Sequence, residues 1–443
     1  MKMGKIILVK SVRIHHLKNV KKGEFHTNSD FSKYEADVIG FYGQNGSGKT
    51  AVVEAFSLLK NLLNSYTLPM NKEKLIYFKE QHVELQFEFL ITNELGEYFV
   101  KYHVILQEGT DKLSVLGENL YYKENASGKR YKEIISKHER SISFRNKKME
   151  SFSEMNRVNM MVADRMAEEN ATSFVFRKEL KEVYEAFLSA EEQEIIINLR
   201  QDFNQDFHVI DTVQYGLLVA NLIMPFSIHL EKLRGNIPYE LRDTMLLSEE
   251  MFETIQKVIE QTNVVLRTII PGLYVKVRKV NMEKMSNGKD GIRFEFLSVK
   301  GEIELPLRCE SQGVLKIISI LSTLIAVYNN PNACVVIDEL DAGIFEYLLG
   351  EMLEVISENG KGQLFFTSHN LRILEVLPIQ NLWFTTLNEE QRYLQLKGVK
   401  KLSNARDIYL RAVQLGGQDE PIYNETNMYD IKKAFRKAGR IND

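Results

Sequence analysis

Residues 43–50 carry the pattern G-x-x-x-x-G-K-T, which is the spacing that a backbone needs to wrap a triphosphate. Glycine adopts backbone conformations closed to residues with a Cβ, so successive N–H groups and a helix N-terminus can point at phosphate oxygens. Lys49 would reach the β- and γ-phosphates, and the hydroxyl of Thr50 would ligate Mg²⁺. The predicted phosphate-binding residues are Gly43, Asn45, Gly46, Ser47, Gly48, Lys49 and Thr50.

Two adjacent carboxylates end an apolar run at residues 332–339, far downstream of this loop. Asp338, at the carboxyl end of the predicted strand, would hold Mg²⁺ through water, and Glu339 would polarise the attacking water as a general base. The alternative is a pair of acids that only ends a strand. Together with the phosphate loop, the two carboxylates predict a site that hydrolyses a nucleoside triphosphate.

A histidine and a serine–glycine pair complete the candidate site. His369 ends the predicted strand 362–369 and could hydrogen-bond the γ-phosphate or the attacking water, although a histidine taken alone is more often an ordinary surface residue. Ser311 and Gly313 open the predicted helix 314–328, with Ser311 as its N-cap, so N–H groups there could face an anion. A plain helix start is the alternative for this pair.

Hydrophobic periodicity predicts the elements that must position these residues. Residues 36–42 are predicted as a buried strand and residues 51–59 as an amphipathic helix, which is the strand–loop–helix context that the phosphate loop requires. Period-two runs predict strands at 83–90 and 98–106, within an antiparallel sheet beside the nucleotide core. Further strands are predicted at 6–14, 24–26, 113–120, 131–135 and 141–144, with His15 and His16 in the turn after the first.

Helical spacing of apolar residues dominates between 151 and 263 and predicts helices at 177–200 and 248–265. No heptad pattern persists over the roughly three to four repeats of a coiled coil, so a compact helical lid or interface domain is predicted. Strands return at 273–280 and 292–297 around the turn Asn287-Gly288. The predicted domains are 1–150 (first half of the core with an antiparallel β subdomain), 151–270 (helical insertion), 271–395 (second half of the core) and 396–443 (helical tail).

Composition is that of an ordinary soluble globular protein, with 44% hydrophobic and 26% charged residues among 443. No stretch is long enough to span a bilayer, which predicts a cytoplasmic protein without a membrane partner. Cys309 and Cys334 have no partners at metal-ligand spacing and are predicted as buried packing thiols.

The net charge of −3 gives no overall electrostatic case for nucleic acid, so any such surface would be local. Residues 121–148 hold nine Lys or Arg against three Glu, interleaved with aromatic residues. Such a stretch could track a phosphate backbone, and a solvated sheet face is the alternative. Nucleic acid is therefore a candidate partner through this stretch, and the basic tail around Lys432 and Arg436 leaves the same two alternatives open.

The order of these motifs, with Leu340-Asp341-Ala342-Gly343 after the carboxylates, resembles the ABC-type ATPases of the SMC and RecF kind. More narrowly, the chain is similar to small bacterial members without a coiled coil that are common in phage-defence operons. The resemblance implies an α/β P-loop NTPase with a mixed central sheet, an antiparallel β subdomain and an inserted helical domain. Related proteins of the overcoming-lysogenisation-defect type add a Toprim nuclease domain, whose spaced acidic clusters do not follow His369 here.

The resemblance further implies ATP and Mg²⁺ as cofactors and a head-to-tail homodimer that sandwiches ATP. Ser311 and Gly313 of one subunit would contact the γ-phosphate bound by the other, and Asp341 would cross the interface. The leading hypothesis is an ATP-hydrolysing switch that regulates a separately encoded effector, a nuclease or toxin, in antiphage defence. The alternatives are a DNA-repair ATPase that binds DNA directly, and an ATP-loaded scaffold that hardly hydrolyses its nucleotide.

Overall fold

The computed structural model describes residues 5–30, 35–70, 75–211, 223–229, 234–397, 405–423 and 427–439. The strands are β1 (Ile6–Leu17), β2 (Val20–His26), β3 (Asp37–Tyr42), β4 (His82–Asn93), β5 (Gly96–Glu108), β6 (Leu113–Glu124), β7 (Lys132–His138), β8 (Ser141–Phe144), β9 (Lys147–Lys148), β10 (Phe207–Ile210), β11 (Ile223–His229), β12 (Arg234–Glu240), β13 (Met245–Ser248), β14 (Leu273–Lys284), β15 (Asp290–Lys300), β16 (Ile303–Pro306), β17 (Cys334–Ile337), β18 (Gln363–Thr367), β19 (Leu382–Thr385) and β20 (Tyr393–Leu394). The helices are α1 (Lys49–Leu63), α2 (Glu154–Asn170), α3 (Lys181–Phe187), α4 (Ala190–Ile197), α5 (Glu249–Ile269), α6 (Gln312–Asn329), α7 (Glu346–Asn359), α8 (Ile373–Val376), α9 (Ala405–Leu415) and α10 (Met428–Ala438).

The central sheet has the strand order β10-β17-β18-β3-β19-β20, in which the first five strands are parallel and β20 is antiparallel. Every residue of β3, β17 and β18 is buried. A parallel sheet is covered on both faces, so its strands are continuous apolar runs. The strands predicted at 36–42, 332–339 and 362–369 are confirmed, and their parallel arrangement brings their carboxyl ends to one edge of the sheet.

Two hydrophobic cores cover the faces of this sheet. Ile39 and Phe41 of β3 lie in one core, which also contains residues of α1, α2, α3 and α4. Val38 and Tyr42 lie in the other, with residues of α5, α6 and α7. Because successive side chains of a strand face opposite sides, β3 is anchored in both cores. The loop that follows β3 therefore starts from a rigid base.

An antiparallel sheet with the order β2-β1-β4-β5-β6-β7-β8-β9 shares the first core. Over most of β4 the side chains alternate between buried and half-buried, as in a sheet with one face on a core. This sheet confirms the predicted antiparallel β subdomain. β1 runs on to Leu17, which pairs with Val20. His15 and His16 therefore lie in the strand, and their predicted place in a turn is wrong.

Residues 151–270 differ from the predicted helical insertion. β10 lies inside this range and pairs in parallel with β17, so residues 207–210 belong to the central sheet. β11, β12 and β13 are further strands in the same range. β10 has only 4 residues, and an apolar run of that length shows no periodicity that separates a strand from a helix. The sequence pattern therefore did not predict β10.

The helix predicted at 177–200 is divided into α3 and α4. Leu188 is extended between them, and Ser189 is the N-cap of α4. The Ser189 hydroxyl accepts the Glu192 N–H, and the Glu192 carboxylate accepts the Ser189 N–H. Such a capping box satisfies two N–H groups at a helix start, so it favours a new helix over the continuation of α3.

The second half of the chain follows several of the predictions. α5 begins after Ser248, its N-cap, and β14 and β15 form the predicted hairpin. Among the described residues, α6 alone is long and apolar enough to cross a bilayer, so the prediction that no stretch has this length is wrong. Inside the fold, 67% of this helix is buried. Cys334 is buried in β17, and burial raises the pKa of its thiol. Cys309 is exposed in the turn before α6, so its predicted burial is wrong.

Candidate functional site

The phosphate loop combines three glycines that have positive φ with the start of a helix. Gly43 has φ 152°, Gly46 has φ 76° and Gly48 has φ 103°, values that residues with a Cβ rarely adopt. A Cβ on Gly43 would lie 1.7 Å from Oγ1 of Thr385, so the neighbouring β19 also excludes any larger residue. Gly48 is the N-cap of α1. A glycine loop that ends in a helix N-terminus is the geometry that binds phosphate.

Lys49 is the first residue of α1, and its side chain is buried beside the loop. Its Nζ donates to the carbonyl oxygens of Gly43 at 2.8 Å and Gln44 at 3.0 Å. Burial lowers the pKa of Lys49, while the charges of the carboxylates at the end of β17 act in the opposite direction. Thr50 follows in the first turn of α1 and is exposed. An ammonium and a hydroxyl are thus placed at the mouth of the loop.

The carboxyl ends of β17 and β18 are joined through the hydroxyl of Thr367. Thr367 Oγ1 donates to Oδ1 of the buried Asp338 at 2.6 Å and accepts the backbone N–H of Glu339 at 2.8 Å. The Thr367 hydroxyl therefore holds the side-chain rotamer of Asp338 and the backbone of Glu339. No sequence pattern marks Thr367 as a site residue, because a threonine in a strand is ordinary β-sheet composition.

Glu339 has a left-handed backbone, with φ 48°. Its carbonyl oxygen accepts a hydrogen bond from Nζ of Lys316, a buried lysine on α6. Burial lowers the pKa of Lys316 to about 8, against the opposing charges of Asp341, Glu339 and Asp338. A strained non-glycine residue is found mainly where the surroundings over-determine it. The contact from Lys316 on α6 is part of what holds Glu339 in place, and no sequence pattern predicts it.

His369 follows β18 and is exposed beside the same carboxylates. Its backbone N–H donates to Oδ2 of Asp341 at 3.1 Å. Burial, and after it the charge of Lys49, lowers the pKa of His369 below its usual value. The lowered pKa favours the neutral imidazole, which has one N–H donor and one acceptor nitrogen.

These elements open on one cleft of about 580 Å³. Residues 45–50 of the phosphate loop, Asp338, Glu339 and His369 all line it. Gly43 lies beneath the loop against β19 rather than in the cleft wall. The structure thus brings together two sets of residues that are far apart in the sequence.

The opposite wall of the cleft comes from residues that the sequence analysis did not single out. Lys18 and Asn19 reach it from the turn between β1 and β2, and Asn19 Nδ2 donates to the carbonyl oxygen of Gly46. Ile76 and Phe78 line it as well, and Phe78 is 78% exposed. They lie on connections without periodicity, so no sequence pattern marks them.

Ser311, Gly313 and Asp341 do not line the cleft of their own chain. Ser311 is exposed and is the N-cap of α6, as predicted, since its Oγ accepts the N–H of Val314 at 3.3 Å. Gly313 packs against the backbone of Gly343. The structure thus places these three residues outside the cleft.

We expect Gly313→Ala to lower the free energy of unfolding by about 1–3 kcal/mol, because an added Cβ would lie 2.1 Å from the carbonyl oxygen of Gly343. Alanine normally stabilises a helix by about 1 kcal/mol relative to glycine. The matched control is Gly350→Ala in α7, where the nearest atom to a Cβ is a flexible Arg372 side-chain carbon at 3.1 Å. Urea denaturation without nucleotide measures both variants. Equal stability of the two would contradict the close approach.

The basic stretch 121–148 lies on the antiparallel sheet and is largely engaged within the protein. Lys137 is buried and forms a salt bridge with Asp164. Lys129 and Lys132 face Glu124, Arg145 pairs with Glu192, and Lys123 lies over the rings of Phe99 and Tyr131. These contacts favour the alternative of an ordinary sheet face over a continuous phosphate-tracking surface.

Comparisons with solved structures find matches at low identity and low TM-score. The SMC head domain from Thermotoga maritima is 11% identical, with TM-score 0.39, over 88% of this chain and 99% of that one. The Smc head domain of Pyrococcus furiosus, bound to the C-terminal domain of ScpA, is 11% identical, with TM-score 0.41, over 88% and 96%. The recombination mediator RecF with ATP is 11% identical, with TM-score 0.35, over 82% and 94%.

No curated protein matches the chain significantly. A family model matches residues 38–375, which extend from the strand before the phosphate loop to α8 beyond His369. The predicted ATPase core, with residues 43–50, Asp338 and His369, lies within this matched range. The chain belongs to the family described as "AAA domain, putative AbiEii toxin, Type IV TA system".

Proposed function

We propose that the chain is an ATP-hydrolysing switch whose catalytic site is the cleft between the phosphate loop and the ends of β17 and β18. The observation that carries this proposal is that residues 45–50, Asp338, Glu339 and His369 line one cleft. A phosphate-binding loop can hold the triphosphate, a carboxylate can orient the attacking water and an imidazole can donate a hydrogen bond, and phosphoryl transfer to water uses groups in these roles.

Mg²⁺ would be held by the Thr50 hydroxyl and by Asp338, and would neutralise charge on the phosphates. Both side chains line the cleft and offer hard oxygen donors. No group of three or more His, Cys, Asp or Glu able to hold a metal occurs among the described residues. This suits Mg²⁺, which is bound by one or two protein groups together with water and phosphate rather than by a closed protein cage.

Glu339 would orient and deprotonate the attacking water, and His369 would donate a hydrogen bond to the γ-phosphate. Thr367 and Lys316 hold the backbone of Glu339 from two sides, so its carboxylate has a fixed starting point. The low pKa of His369 favours a neutral donor, which leaves the imidazole uncharged beside Lys49. These groups act on a water and a phosphate whose positions the loop fixes.

The proposed active unit is a head-to-tail dimer in which Ser311 and Gly313 of one copy complete the ATP site of the other. Its support is that Ser311 is exposed at the N-terminus of α6 and that neither residue lines its own cleft. A helix N-terminus carries partial positive charge and free N–H groups, which suit a γ-phosphate. Asp341 would cross the same interface.

Mixing two inactive variants tests this arrangement. Lys49→Ala removes one phosphate loop and Ser311→Arg blocks one α6 N-terminus, so a mixed dimer has one intact composite site. We expect an equimolar mixture to hydrolyse ATP at a rate well above the sum of the two variants alone, approaching about a quarter of the wild-type rate, because half of the dimers are mixed and each mixed dimer has one intact site of two. A rate equal to that sum would contradict the composite site, and a fully active Ser311→Arg variant would remove Ser311 from it.

The switch is proposed to act on a separately encoded effector in antiphage defence and to work in the cytoplasm. The family description names a type IV toxin–antitoxin system, and such systems have more than one component. The gene beside this one tests the assignment. A nuclease, toxin or antitoxin gene there supports defence, whereas recombination genes support the alternative of DNA repair.

A further inference from the structure

The C-terminal helix α10 is amphipathic and has every one of its residues exposed. Met428, Ile431 and Phe435 follow helical spacing along one face, and they are 82%, 40% and 77% exposed. Lys432, Lys433, Arg436 and Lys437 lie along the neighbouring face. A short helix of this kind gains most of its stability by packing its apolar face against another surface.

An apolar groove lies between α5, α6 and α7, far from the nucleotide cleft. It has a volume of about 560 Å³. Val265 and Ile269 of α5, Leu324 and Tyr328 of α6, and Met352 and Val355 of α7 line it. Tyr328 is 37% exposed and Val355 is 51% exposed. An amphipathic helix with anchors at i, i+3 and i+7 is the usual occupant of such a groove.

The rim of this groove is acidic. Glu351, Glu354 and Glu358 recur at helical spacing on α7, beside the groove residue Val355, and α7 contains no Lys or Arg. Neither these glutamates nor the basic residues of α10 form a salt bridge within the part of the chain that the structure describes. The basic face of α10 therefore complements the acidic rim of the groove in charge. The apolar face of α10 likewise matches the apolar floor of the groove.

Within one copy, α10 lies outside this groove, because every residue of α10 is exposed and none of them lines the groove. The segment before α10 is fixed at the carboxyl edge of the central sheet, where the Pro421 carbonyl accepts the N–H of Leu387 at 2.8 Å. The apolar face of α10 and the groove are therefore both left uncovered in one copy, and a second copy of the chain offers each of them its partner.

We propose that α10 of one copy of this chain docks in the α5–α7 groove of a second copy. Phe435, Ile431 and Met428 pack on the apolar floor, and the lysines and Arg436 face Glu351, Glu354 and Glu358. The contact uses no residue of the nucleotide cleft. Association of the chain through this interface is therefore independent of ATP and is weakened by salt.

A cysteine pair tests the contact in the full-length chain without nucleotide. In a Cys309→Ser background, a tagged Val355→Cys variant is mixed with an untagged Phe435→Cys variant under oxidising conditions. We expect a disulfide-linked species containing both chains, and at least tenfold less of it when Met155→Cys, exposed on α2, replaces Val355→Cys. Equal cross-linking by the two pairs would overturn the proposal. So would a Val355→Cys/Phe435→Cys double variant that closes only within one chain.

Charge reversal gives a second readout by sedimentation equilibrium. We expect Lys432→Glu, Lys433→Glu, Arg436→Glu and Lys437→Glu together to weaken self-association at least tenfold, and Glu351→Lys, Glu354→Lys and Glu358→Lys in the mixed partner to restore it. Unchanged association of the α10 variant would overturn the proposal. Lys49→Ala is expected to associate like the wild type here, so failure of the nucleotide site and failure of this interface are distinguishable.

Discussion

Replacing Lys49 with alanine is expected to weaken ATP binding by at least about 100-fold. The buried ammonium lies beside the loop, where it bonds the carbonyl oxygens of Gly43 and Gln44, and it would reach the β- and γ-phosphates. Hydrogen bonds to charged groups contribute about 1.5–3 kcal/mol each, so losing two of them gives a loss of this size. Calorimetric titration with ATP measures the dissociation constant directly.

The matched control is Lys60→Met, at the other end of the same helix. Lys60 is also largely buried, and burial lowers its pKa to about 8. Its Nζ donates to the carbonyl oxygens of Asn204 and Phe207 rather than facing the cleft. We expect this control to lose stability and to keep ATP affinity. ATP retention at wild-type affinity by Lys49→Ala would contradict the assignment of the phosphate loop.

Glu339→Gln is expected to reduce ATP hydrolysis by a factor of about 100 or more while leaving ATP binding intact. Glutamine has nearly the same shape and keeps the backbone contacts with Thr367 and Lys316, but its amide cannot accept a proton from water. Loss of general-base catalysis costs about 10²–10⁴ in rate. Phosphate release under saturating ATP measures the rate constant, and binding is titrated in parallel.

Glu346→Gln is the control for this variant, since Glu346 is an exposed glutamate in the first turn of α7, outside the cleft. It removes the same charge from the same face of the fold without touching the site. We expect wild-type turnover from it. Unchanged turnover of Glu339→Gln would remove Glu339 from the catalytic role and favour the scaffold alternative, provided that ATP still binds.

The local pattern of the sequence determined the elements that hold the site. In residues 36–50 the apolar run predicts a strand, and the glycines predict a loop. The amphipathic spacing that follows predicts a helix. Asp338 and His369 could be assigned to strand ends for the same reason. The antiparallel β subdomain was readable too, since a sheet with one solvated face alternates in the sequence.

The tertiary structure decided what the local pattern left open. β10 joins the central sheet by pairing in parallel with β17. The four residues from Phe207 to Ile210 contain no pattern that predicts this pairing. Thr367 and Lys316 matter through hydrogen bonds to residues far away in the sequence. The α5–α7 groove exists only where three helices meet.

The sequence by itself determined which chemistry the chain can perform, because phosphate binding and water activation depend on residue types at fixed local spacing. The tertiary structure determined where the phosphate loop meets the ends of β17 and β18. It also determined that Thr367 and Lys316 support Asp338 and Glu339. It also left Ser311 and α10 on surfaces apart from the cleft. These features depend on pairing between distant strands and helices, which local periodicity does not encode.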